Sequence, residues 1–224
     1  MFKSLVNYIY IHIYCINNYL EILNYLINCI KESGLYAHIK EIRCGVLYNN
    51  KDDLKNILTI DPKIIIAITS LDKNLYERLT INLLYEDSKK EEFNVLYLHT
   101  KGVTKPRNVN IKSWVEYMCY FNIYNYKICL QLLDQNDTVG VNLQDRIKEE
   151  VHYAGNFWWS KSKYIRKLIK CIDKKYNAPE FWLTKDKIGS YASLWHSNCP
   201  HYKKRYDSDI YKNKGTQIYR FNYK

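Results

Sequence analysis

Apolar residues in this chain come in short dense runs, separated by stretches with helical spacing. Leu5 to Cys15, rich in Ile and Tyr, predicts a buried strand. Asn17 or Asn18 can cap the helix that follows. Tyr19, Ile22, Leu23, Leu26, Ile27 and Ile30 recur at helical spacing there, and Gly34 stops the helix with a left-handed residue. Ile39 to Tyr48 predicts a second strand. Lys63 to Thr69 reads KIIIAIT after Pro62, a continuous run that suits a parallel strand covered on both faces. A helix from about Lys73 to Glu86 and a charged loop, Asp87 to Glu92, come next.

Phe93 to His99 (FNVLYLH) is another buried strand, closed by Thr100-Lys101-Gly102. Beyond Pro106 a long helix, roughly Lys112 to Leu133, has Trp114, Met118, Phe121, Ile128 and Leu132 for its inner face. Thr138 to Leu143 and Val151 to Trp159 are shorter strands. Ser162 can cap a helix with Ile165, Leu168, Ile169 and Ile172 as its apolar positions. Past Pro179 the pattern weakens, and the basic, Tyr-rich tail from Lys203 reads as irregular. Strands alternating with helices predict an α/β fold, an α/β/α sandwich around a mostly parallel sheet. No composition break marks a linker and no repeat is present, so residues 1–224 read as one domain.

Composition narrows the classes. With 47% hydrophobic and 15% aromatic residues among 224, the chain is not a disordered one. A net charge of +11 points toward nucleic acid or an acidic membrane. The 23 tyrosines weaken that inference, because Tyr, Lys, Ile and Asn are abundant together and all have A/T-rich codons. Such a bias scatters lysines over the surface instead of gathering them. The 7 cysteines are odd in number, widely spaced and without a C-x-x-C pair, as in a reducing, cytoplasmic compartment. Met1 to Cys15 is broken by Asn7 and His12 and lacks a small-residue cleavage site, so neither a secretion signal nor a transmembrane segment is expected.

Several enzyme classes lack their motifs: there is no G-x-G-x-x-G, no G-x-x-x-x-G-K-[ST], no H-E-x-x-H and no G-x-S-x-G. Ligands of open α/β sheets bind beyond the carboxyl ends of the strands. The first strand ends near His12, Tyr14 and Asn17, and the fourth in His99-Thr100-Lys101-Gly102. Gly102 lets backbone approach phosphate oxygens that Lys101 can neutralise; a tight turn with an exposed lysine fits the same letters. His152 to Ser160 contains Gly155, Asn156 and the pair Trp158-Trp159. Adjacent strand residues face opposite ways, so one Trp lines a sugar-binding cleft, or both are core residues on the two sides of a covered sheet. Glu180, in Pro179-Glu180-Phe181-Trp182, is either a general base among aromatics or a carboxylate favoured by a helix N-terminus.

These stretches together resemble GT-A-type glycosyltransferases of bacterial surface-polysaccharide loci and large DNA viruses. The likeness covers roughly Tyr10 to Tyr202. It rests on IHIYCINNYLEILNYLINCIKESGL, LYLHTKG, HYAGNFWWSKSKYIRKL, and PEFW followed by SLWHS. It implies a GT-A-like (Rossmann-like) fold and transfer of a sugar from a nucleotide-diphosphate donor, such as a UDP-sugar, to a hydroxyl on a glycan or protein. His12, Tyr14, Asn17, His99, Lys101 and Gly102 then hold the nucleotide and diphosphate. His152, Gly155, Asn156, Trp158, Trp159 and Trp182 form the acceptor and sugar side, and Glu180 is the catalytic base of an inverting reaction. The family's Asp-x-Asp, which carries Mn2+ or Mg2+, is replaced at the fourth strand by His99-Thr100-Lys101. His196 is the candidate metal ligand, and Lys101 can stand in for the cation. The literal Asp207-Ser208-Asp209 follows no buried strand and reads as a chance match. Two other classes are a noncatalytic carbohydrate-binding or structural protein on a degenerate transferase fold, and a basic nucleic-acid binder without a recognisable reading module.

Overall fold

The structure, a computed structural model, describes residues 5–145 and 150–223. Strand β1 (Val6–Tyr14) is central, with β2 (Ile42–Leu47) and β4 (Phe93–His99) hydrogen-bonded parallel on its two sides. Both faces of β1 are covered. Ile9, Ile11 and Ile13 enter the larger core, while Tyr8 and Tyr10 enter a second core across the sheet. That two-sided burial is why the segment reads as an unbroken apolar run.

The larger core is closed by α1 (Tyr19–Glu32) and by a long helical segment. The latter comprises α4 (Val109–Cys119), a π-helical stretch Tyr120–Tyr124 and α5 (Tyr126–Gln135). The second core is closed by α3 (Arg78–Ser88), through Ile81 and Leu84. Helices on both faces of the sheet make the three-layer α/β arrangement.

The eight-stranded sheet runs β10 (Tyr219–Asn222), β9 (Ser190–Ser193), β5 (Thr138–Gly140), β8 (Trp158–Lys161), β4, β1, β2 and β3 (Ile64–Ser70). Strand β5 pairs parallel with β9, and β8 runs antiparallel between β4 and β5. The sheet is therefore mixed but mostly parallel. A separate two-stranded ladder joins β6 (Leu143–Gln144) to β7 (His152–Tyr153).

Four expectations are corrected. Strand β3 (Ile64–Ser70) is not covered on both faces. It is the sheet edge, α2 (Lys51–Leu58), which the periodicity did not predict, packs against it, and Ile65 is 43% exposed. The expected strand Val151 to Trp159 is two strands, split by a turn in which Gly155 and Asn156 both have positive φ. The helix begun at Ser162 lasts one turn, α6 (Ser162–Ile165), and the chain then leaves Ile169 and Ile172 outside. The tail is ordered: α8 (Ser208–Lys214) buries Tyr211 beside Tyr117, and β10 (Tyr219–Asn222) extends the sheet antiparallel to β9. Asp207 caps α8 by accepting from the Asp209 and Ile210 amides, a structural use for the literal Asp-x-Asp.

Candidate functional site

A cleft of about 510 Å³ opens beyond the carboxyl ends of β1 and β4, where a parallel sheet leaves strand ends uncovered. The β1–β4 register places His12 directly beside His99. The loop after β4 is tied back to the first strand: the Thr100 amide donates to the His12 carbonyl at 2.9 Å, and Asn17 Nδ2 donates to the Val103 carbonyl at 2.6 Å. Gly102 takes φ +98° in this loop, a left-handed conformation that a side chain would strain.

Each histidine is oriented by one bond. His12 Nδ1 lies 2.9 Å from Thr80 Oγ1, and that hydroxyl is 3.3 Å from the Gly45 carbonyl. Thr80 donating to the carbonyl accepts from His12 Nδ1–H, so Nε2 keeps its lone pair. Gly45 makes this possible, since a Cβ there would overlap the Thr80 side chain. His99 Nε2 donates to the Gly155 carbonyl at 3.0 Å. Burial pulls His12 down to about 4 against the attraction of Glu77, and pulls His99 down to about 3 with help from Lys101. Both rings are neutral at pH 7.

Glu77, at the N-terminus of α3, is the residue that pattern reading missed. Its Oε2 accepts from Tyr97 Oη and from Asn156 Nδ2, each at 2.7 Å, and its Oε1 lies 3.7 Å from His99 Nδ1. Burial raises its pKa, opposed by His12. Nothing in an amphipathic helix start distinguishes this carboxylate from the exposed ones around it. Glu180, in the first turn of α7 (Ala178–Trp182), accepts from the Gly155 amide at 2.8 Å through Oε1.

The Gly155-Asn156 turn thus holds His99, Glu77 and Glu180 at once. Lys101 reaches into the same cleft. Its ammonium sits 3.9 Å from the centre of the Trp114 ring, with His201 stacked at 4.0 Å; both cannot share one face of the indole. Burial lowers the Lys101 pKa, and Glu180 and Glu77 resist that shift. Lys105 and the rings of Tyr14, Tyr76, Tyr176 and Tyr202 complete the walls.

Of the residues singled out from the sequence, His12, Tyr14, His99, Lys101, Gly102, Asn156 and Glu180 line the cleft. Gly155 stands just behind it, and Asn17 braces its loop. Trp158, Trp159 and Trp182 do not line it. Trp158 and Trp159 are both fully buried, one in each core, which is the two-sided arrangement of a covered sheet. Trp158 stacks on Tyr97 at 4.8 Å and donates to Asn156 Oδ1 at 2.8 Å. Trp182 is buried too, donating to the Ile169 carbonyl. His152 packs edge-to-face with Phe181 and donates from Nδ1 to the Glu150 carbonyl at 2.7 Å, away from the cleft. His196 lies outside it as well, near Tyr219. Among the described residues no three His, Cys, Asp or Glu side chains gather to hold a metal.

A family model described as "Domain of unknown function (DUF8361)" matches residues 36–209. The chain belongs to this family. No curated protein matches the chain. Two similar solved structures are both 4-diphosphocytidyl-2C-methyl-D-erythritol synthases. One has a TM-score of 0.44 at 9% identity, over 95% of this chain and 98% of that one. The other, from Anaerococcus prevotii DSM 20548, has a TM-score of 0.47 at 14% identity, over 92% and 95%. Neither the DUF8361 description nor these names refers to a glycosyltransferase, and likeness at this level transfers no residue's role. Among the described residues, no helix is long and apolar enough to cross a membrane.

Proposed function

We propose that this DUF8361 member is a nucleotide-dependent transferase that moves a sugar from a nucleotide-diphosphate donor to a hydroxyl acceptor with inversion. The observation that carries the reading is one cleft at the strand ends in which an ammonium, Lys101, faces two carboxylates, Glu180 and Glu77. A transfer of this kind needs a cation where the diphosphate departs and a base where the acceptor loses its proton.

In this reading Glu180 takes the acceptor hydroxyl proton on the oxygen not engaged by Gly155. The acceptor oxygen attacks the anomeric carbon from the face opposite the diphosphate. The bond from that carbon to the diphosphate oxygen breaks, its electron pair stays on the diphosphate, and Lys101 with Lys105 neutralises the charge. Glu77 does not serve as the base, because its Oε2 already accepts two hydrogen bonds and Oε1 faces His99. Neutral His12 offers a further polar edge beside the loop. No step is routed through a metal.

The test is a panel of UDP-, GDP- and dTDP-sugars, scored for binding by calorimetry and for transfer or slow donor hydrolysis. Binding of one donor with release of its nucleoside diphosphate supports the reading. The competing reading, a noncatalytic carbohydrate-binding or structural protein on a degenerate transferase fold, draws on the His99-Thr100-Lys101 sequence standing in place of Asp-x-Asp. A folded protein that binds no nucleotide, with or without Mn2+, favours that one.

A further inference from the structure

The most exposed large hydrophobic side chains among the described residues are Ile172 at 75%, Tyr176 at 69% and Ile169 at 68%. All three belong to one eight-residue stretch and line one groove. The helical pattern predicts Ile169 and Ile172 as core residues, yet α6 ends at Ile165 and the chain turns them outward while burying Leu168 and Cys171. Apolar side chains at these exposures mark a contact surface when clustered.

The surrounding charge is one-sided. From Lys163 to Lys175 the basic residues are Lys163, Arg166, Lys167, Lys170, Lys174 and Lys175, against the single acid Asp173. Glu92 and Glu86 engage Arg166 and Lys170 at 3.8 and 3.1 Å. Glu150, Lys185 and Asp186 line the same groove. Shape matters as much as charge. Ile172 and Lys170 line grooves on both sides of the stretch, with Lys175 in one and Lys174 in the other, so the segment is a ridge and not a flat patch. A protruding ridge of isolated isoleucines between lysines fits a headgroup layer, into which the apolar tips insert while the ammonium groups meet phosphates.

We propose that the Lys167–Tyr176 ridge docks the protein on an anionic lipid surface. Tyr176 and Asn177 also line the cleft, so the docked surface lies at the cleft's mouth. This goes beyond the transferase reading, and its test does not depend on activity.

The test is flotation of the whole protein with vesicles of phosphatidylcholine alone and of phosphatidylcholine mixed with phosphatidylglycerol. The expected result is capture by the anionic vesicles only. Ile169→Asp with Ile172→Asp should cut capture by at least about tenfold, and Lys174→Gln or Lys175→Gln by roughly fivefold each, with unchanged melting curves. No capture overturns the proposal. So does capture that survives the isoleucine substitutions, which would assign it to the general charge of +11. A dimer in sedimentation that Ile172→Asp dissociates overturns it too, because a second copy would then cover the ridge.

Discussion

The Gly155 amide donates to Glu180 Oε1 at 2.8 Å, joining a residue at the β7–β8 turn to the first turn of a separate helix. The same glycine accepts from His99 through its carbonyl at 3.0 Å. One peptide unit on each side of Gly155 therefore sets the position of the Glu180 carboxylate and of a strand-end histidine. Only glycine suits this position: φ is +93°, and a Cβ would overlap Met118 Sδ and press on Trp114.

Gly155→Ala should therefore destabilise the fold by about 1–3 kcal/mol and disturb the cleft in the same step. Thermal denaturation reads the first effect and donor binding the second. A variant with wild-type stability would show that the turn relaxes freely.

Lys101→Met should weaken binding of a nucleoside diphosphate by about tenfold or more, the size of one charge-assisted hydrogen bond. Affinity for the corresponding nucleoside should be unchanged, which separates a lost phosphate contact from a collapsed site. Stability should hold or rise, because the substitution removes an ammonium whose burial already disfavours its charge. Equal losses for nucleoside and diphosphate would contradict the role given to Lys101.

The buried histidines give a pH dependence with a definite sign. Their folded values, about 4 for His12 and about 3 for His99, lie below the ordinary 6.5. The unfolded chain thus binds protons first, and stability present above pH 6.5 is lost as pH falls toward 4. Each ring accounts for a loss on the order of 3 kcal/mol. Glu77 works the other way, since burial raises its pKa and the folded state takes up its proton more readily. Urea denaturation across this range should show falling stability, with a steeper fall in Glu77→Gln. A flat profile in that variant would contradict the buried neutral rings.

Gly45→Ala should destabilise by about 1–3 kcal/mol, because its Cβ would collide with Thr80, including the backbone of α3. The displaced hydroxyl would also release His12 Nδ1. The imidazole resonances of His12 should move in the variant, while those of His152, far from the contact, stay in place.

The central strands were readable because two-sided burial leaves a plain mark: FNVLYLH coincides with β4, and the Ile/Tyr run contains β1. The same logic misreads β3, whose isoleucines sit on an edge with one face open. A run of apolar letters does not say how many neighbours a strand has. The cleft was partly legible, since His12, His99 and Lys101 stand at predicted strand ends, where the fold class alone directs attention. The tryptophans misled. The ring N–H groups of Trp158, Trp159 and Trp182 are satisfied inside the protein, by Asn156 two residues away and by the Asn122 and Ile169 carbonyls from other segments, and spacing does not encode which partner each finds. Glu77 was missed for a related reason: its partners Tyr97 and Asn156 come from distant segments, and only the folded chain brings them together.

The most direct measurement compares the wild type with Glu180→Gln for turnover and for donor affinity, using whichever nucleotide sugar the panel identifies. The account predicts that transfer to the acceptor falls by a factor of about a hundred or more while donor affinity changes little. Glutamine can still accept from the Gly155 amide but cannot take a proton from the acceptor hydroxyl. Transfer at the wild-type rate in that variant would contradict the assignment of Glu180 as the base.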